Sequence, residues 1–115
     1  MVNYFHDKII RYEGEKGDDI NLQCLDEDSN AVDLTDYTIK WRVSEKGSGT
    51  VKYEMTGIIV TAAEGKFKVN IDGTTNKFDE APKEYETSAV ITKTGYEFVY
   101  PGVDVIVKKK IPALA

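Results

Sequence analysis

The chain has 115 residues, a net charge of −5 and a single cysteine, with 41% hydrophobic and 30% charged residues. One globular domain over residues 1–115 is expected. No apolar run nears the ~20 residues of a membrane-spanning helix, an intrachain disulfide and a Cys-rich zinc site are excluded, and the acidic balance argues against a phosphate-tracking nucleic-acid face.

Period two dominates, interrupted by turn residues every 8–12 positions or so, which predicts an all-β, immunoglobulin-like antiparallel β-sandwich of about seven to nine strands. The start, Met1 to Asp7, has no basic region followed by an apolar stretch, so no secretory signal is expected. Tyr4 to Tyr12 mixes Phe5, Ile9 and Ile10 with charges and reads as a first extended stretch of uncertain bounds. Gly14 to Asp18 is a loop, and Ile20, Leu22 and Cys24 then share one face of a strand. Asp26-Glu27-Asp28-Ser29-Asn30 has turn chemistry, because Asp and Asn bond their own backbone and tolerate left-handed φ.

Tyr37 to Val43 is the most legible strand: its odd positions are apolar or aromatic, and Trp41 is expected to anchor the core. Gly47-Ser48-Gly49 separates it from Val51 to Met55. Ile58 to Val60 and Lys66 to Ile71 form a predicted hairpin across Glu64-Gly65. Between Asp72 and Lys83 the pattern lapses, leaving room for at most one helical turn before Pro82. Tyr85 to Ile91, a turn at Lys93-Thr94-Gly95, and Tyr96 to Tyr100 follow. Pro101-Gly102 suits the centre of a type II turn, and Val103 to Val107 makes a final strand. The lysines at 108–110 read as solvated residues leaving that strand.

Few residues carry chemistry. A nucleophile needs a base within hydrogen-bond reach, and the one histidine, His6, lies near a chain end. Cys24 on an apolar face reads as an inert core thiol. The segment from Asp26 fails as a calcium loop, since Ala31 and Tyr37 stand where glycine and a closing glutamate are needed. Gly47-Ser48-Gly49-Thr50 lacks the ending of a phosphate loop. No catalytic, cofactor-binding or metal-ligating residues are therefore assigned, and a non-catalytic protein is expected. Tyr85, Tyr96, Phe98 and Tyr100 are the candidate aromatic contact surface, with core and cross-strand packing as the plainer role.

One ordered set of residues resembles a known family. Gly17-Asp18 precedes the strand from Ile20, a hairpin tip follows, and Asp33-Leu34-Thr35 leads into the strand from Tyr37, with Gly65 at a later turn. This resembles the N-terminal domain of phage baseplate upper proteins, a β-sandwich of phage and prophage tails and baseplates. Two positions depart from that pattern: Asp36 stands where the family has glycine, and Ser29-Asn30 replaces a glycine at the hairpin tip, with Asn30 expected to take the left-handed conformation. The specific part of the match is about 30 residues long, and its motifs are structural ones.

The resemblance implies a virion structural module that docks on tail proteins, supports receptor-binding proteins and self-associates in the assembly, with no cofactor, nucleic acid or membrane insertion. It would be made in the host cytoplasm and reside in the tail or baseplate. The alternative is a module that recognises host cell-surface carbohydrate, on the strength of seven tyrosines, four phenylalanines and one tryptophan.

Overall fold

The computed structural model describes residues 2–4, 8–14, 19–72, 74 and 76–109. Gly17, Asp18, His6, Phe5 and Lys110 lie outside the described residues. Among the described residues ten strand segments form: β1 (Val2–Tyr4), β2 (Lys8–Tyr12), β3 (Ile20–Cys24), β4 (Thr38–Glu45), β5 (Val51–Thr56), β6 (Ile58–Thr61), β7 (Lys66–Val69), β8 (Lys83–Lys93), β9 (Tyr96–Pro101) and β10 (Asp104–Lys108). They build two sheets. One is four-stranded in the order β1-β3-β7-β6; the other is six-stranded in the order β2-β10-β8-β4-β5, with β9 also paired to β8. Among the described residues no α-helix forms, and a 3-10 turn at Ala62–Glu64 is the one helical element.

This connectivity is that of an immunoglobulin-like sandwich, in which the first, second, fifth and fourth strands share one sheet and the third, sixth and seventh share the other. Every pair is antiparallel except β2 with β10, which run parallel from Lys8↔Asp104 to Tyr12↔Lys108. The count exceeds the sequence expectation because the start of the chain, read as one extended stretch, supplies two strands, β1 in one sheet and β2 in the other.

The core follows the predicted alternation. Ile20, Leu22 and Cys24 of β3 and Phe67 and Val69 of β7 form one wall; Ile39, Trp41 and Val43 of β4, Ala89 and Ile91 of β8, and Val105 and Val107 of β10 form the other. Trp41 is fully buried, as expected of a core anchor. At one end the sandwich is closed by the segment after β7. Its Phe78 is buried and meets Trp41 edge-on at 6.4 Å, Tyr53 edge-on at 5.6 Å and Tyr85 in a stack at 6.2 Å. Asp72 and Asn76 fold that segment locally, through the Asn76 N–H on Asp72 Oδ1 at 3.0 Å and Asn76 Nδ2 on the Asn70 carbonyl at 2.8 Å.

Two close approaches explain two glycines. Gly57 joins β5 to β6 across the sheets, where a Cβ would stand 2.7 Å from Ile39 Cγ2. Gly65 has φ +69°, and a Cβ there would lie 2.5 Å from the Cys24 carbonyl oxygen and 2.8 Å from that of Val32. The predicted turn at Glu64-Gly65 is thus a left-handed cap on the 3-10 turn, pressed against the β3 end.

Pro101-Gly102 does not reverse the chain, contrary to the sequence reading. β9 and β10 lie one after the other along the same edge of β8. From Ser88↔Pro101 to Tyr85↔Val105, β8 advances three residues while its partner advances four. One extra residue at Gly102-Val103 is a β-bulge. The Gly102 N–H donates to the Thr87 carbonyl at 2.8 Å, and the Thr87 hydroxyl donates to the Val103 carbonyl at 2.6 Å. Thr87 is the buried polar residue of the described core, and this bond satisfies its hydroxyl. A Thr87→Val substitution should destabilise the domain by about 1–3 kcal/mol, while Thr87→Ser should retain most of the stability. Urea unfolding of the three proteins checks this.

Candidate interaction site

The end opposite Phe78 is built by the β8–β9 hairpin, the start of β4 and the tip between β3 and β4. The hairpin turns at Thr94-Gly95, where Gly95 supplies a φ of +83°. Its register sets Tyr100 opposite Ala89, Phe98 opposite Ile91 and Tyr96 opposite Lys93. All three aromatics therefore share the face that points between the sheets, as the alternation predicted. Their depths differ. Tyr100 packs against the core, whereas Phe98 is 43% and Tyr96 58% exposed, because the opposite sheet does not extend over them.

Tyr85 does not belong to this surface. It lies at the other end of β8, fully buried, between Tyr53 at 5.7 Å and Phe78. Sequence reasoning missed two members of the exposed cluster. The Tyr37 ring meets Phe98 edge-on at 6.4 Å, and Tyr96 stacks on Phe98 at 6.3 Å. The Lys93 ammonium sits 4.7 Å from the Tyr37 ring centre and 5.8 Å from that of Tyr96. Tyr37 shares its strand face with Ile39 and Trp41, so the signal was present in the alternation; Lys93 gave none.

The tip beside this cluster is a hairpin closed by the Leu25↔Ala31 bridge. Asp26 Oδ1 accepts the N–H groups of Asp28 and Asn30, both at 2.9 Å, so its carboxylate folds the tip. Ser29, not Asn30, takes the left-handed conformation, with φ 65°. The Asn30 N–H is held by Asp26, which fixes the reversal one residue earlier. Leu25, Asp26, Glu27 and Ser29 face Val99, Tyr100 and Pro101 across a groove of about 560 Å³ at the side of the sandwich.

The Asp33-Leu34-Thr35 motif is a turn that holds this end in place. Asp33 Oδ1 accepts the Thr35 N–H at 2.9 Å and the Thr35 hydroxyl at 2.6 Å. These bonds hold the Asp33 carboxyl below the usual carboxylate range. Leu34 is buried beneath the turn, and its N–H reaches the Ala62 carbonyl at 2.9 Å. Asp36 adopts φ 65°, so the aspartate takes the left-handed position that the resembling pattern gives to glycine.

No protein-family model matches the chain, and no curated protein matches it.

The remaining titratable groups have structural surroundings. Burial pushes the Cys24 thiol up to about 11, which keeps it protonated and unreactive at neutral pH. Among the described residues no group of three or more His, Cys, Asp or Glu side chains is placed to hold a metal ion. At the closed end the Tyr53 hydroxyl donates to Asp79 Oδ1, and the Asp79 N–H donates back to the same hydroxyl at 3.2 Å. The Tyr53 bond holds the Asp79 carboxyl below its ordinary value. A carboxylate depressed in the folded state contributes stability above the unfolded pKa, and that contribution is lost as pH falls through the folded one. Tyr53→Phe should therefore be less stable at neutral pH and lose less stability on acidification below about pH 4, the ordinary aspartate value. Denaturant titrations at a series of acidic pH values read the difference directly.

Proposed function

We propose that this domain is a non-catalytic assembly module of a phage or prophage tail or baseplate. It docks on tail proteins and supports receptor-binding proteins. The observation that carries the reading is the open end: exposed Tyr96 and Phe98 on a strand that pairs, among the described residues, with β8 alone. An unpaired edge beside uncovered aromatics is a docking surface, because both backbone groups and apolar area gain from being covered. The resemblance adds the tail context, and the Asp33–Thr35 turn that carries much of it braces this same end. Residence in the virion and self-association within the assembly belong to this proposal through the resemblance.

A carbohydrate-binding module is the second reading. It is favoured by the stacked Tyr96 and Phe98 rings with Tyr37 at their edge. It ranks second because Lys93 already lies over the Tyr37 and Tyr96 rings, where a sugar would stack.

Capture of tail proteins encoded beside the gene decides between them. The domain should retain one or more of these proteins, and a Tyr96→Ser, Phe98→Ser double variant should retain at least about tenfold less while unfolding at a similar temperature. Absence of any virion association, together with binding to cell-wall polysaccharide by calorimetry, would replace the first reading with the second.

A further inference from the structure

We infer that the outer edge of β9 takes an extended, basic segment of a partner protein as an added β-strand. This rests on the assembly reading above and specifies what that end of the domain accepts. The Gly102 N–H bonds to the Thr87 carbonyl, and antiparallel pairing alternates. Tyr96, Phe98 and Tyr100 therefore turn their backbone groups toward β8. Glu97 and Val99 present their N–H and C=O groups to the outside, and Pro101, with no N–H, presents a carbonyl alone. Val99 is 57% exposed, and β2 covers β10 from Asp104 onward, leaving β9 without a neighbour on that side among the described residues.

Charge selects the occupant. Seven ion pairs form among the described residues, and the cations in them are Arg42, Lys46, Lys52, Lys66, Lys68 and Lys83. At the open end Glu64 is paired with Lys66, but none of those pairs involves Asp26, Glu27, Asp28, Asp33, Asp36 or Glu97, the carboxylates of the tip, the following turn and β9. Among the described residues the cation beside these carboxylates is Lys93, which lies over the tyrosine rings and also favours the charged form of Asp33. Asp26 and Glu27 line the groove directly opposite Val99 and Pro101. A strand added to β9 points alternate side chains into that groove, so lysine or arginine at those positions meets carboxylates and the intervening side chains meet apolar surface. A second copy of this chain is disfavoured, since β9 against β9 would bring two acidic ends together.

The probe is a short synthetic peptide alternating lysine with valine, and the readout is amide NMR on the intact domain. Binding should perturb Glu97 and Val99 first and weaken as salt rises. Val99→Pro removes an outward N–H and no bond to β8, and should lower affinity at least about tenfold. Asp26→Asn with Glu27→Gln keeps a side-chain oxygen at position 26 to accept the Asp28 and Asn30 N–H groups, and should lower affinity by a similar factor. Equal binding of a glutamate–valine peptide, perturbations confined to β5 or β6, or a β9-paired dimer of the free domain would overturn the inference. Undiminished capture of tail proteins by Val99→Pro would overturn it too and leave the assembly reading standing. Peptide binding at β9 without virion association would do the reverse.

Discussion

The bond from the Thr87 hydroxyl to the Val103 carbonyl governs how this sandwich ends. β8 is eleven residues long and has two neighbours on one edge, β10 on its first half and β9 on its second. The bulge between them is the point where the register changes, and Thr87 supplies the hydrogen bond that the irregular backbone there requires. Below it, β10 is flanked by β2 and lies over a closed core. Above it, β9 runs on beyond β2; Tyr100 still packs against the core, and Phe98 and Tyr96 beyond it are exposed. The register shift divides one edge of β8 between a flanked β10 and an open β9, while the segment that carries Phe78 seals the other end.

The two ends use similar residues differently. At the sealed end Tyr53, Phe78 and Tyr85 form interlocking edge and stacked contacts with one another, Phe78 also meets Trp41, and Tyr53 spends its hydroxyl on Asp79. Phe78 fills the space that a helix or longer strand would otherwise cover. At the open end Tyr37, Tyr96 and Phe98 make the same kinds of ring contact with no segment laid over them. Most ion pairs among the described residues lie on the flanks and at the sealed end; at the open end Lys66 pairs with Glu64 beside the 3-10 turn, while the carboxylates of the tip and of β9 take part in none of those pairs. Exposed ion pairs contribute little to stability, so this distribution has little bearing on folding.

Much of the fold was legible because a buried sheet face demands alternation. Ile20, Leu22 and Cys24, and Ile39, Trp41 and Val43, can satisfy a period of two and no other. The Asp33 and Thr35 bonds were legible for a related reason: they are local. What was not legible depended on distant residues. Pro101-Gly102 has the chemistry of a reversing turn, yet Thr87 holds it in an extended bulge. Tyr85 and Tyr96 look alike in an alternating pattern, which reports the face of a strand and not how far the facing sheet extends. Phe78 stood alone in a polar stretch, where a single aromatic gives no period to read. The division of the first stretch into β1 and β2 likewise depends on which sheets lie beside it.

The account turns on β9 being an open edge whose backbone alternates between β8 and solvent. Residue-resolved amide hydrogen exchange of the free domain measures this directly. Slow exchange at Phe98 and Tyr100 with fast exchange at Glu97 and Val99 is the pattern the account predicts. Protection at Val99 equal to that at Phe98 would mean that this edge is already occupied, and would contradict it.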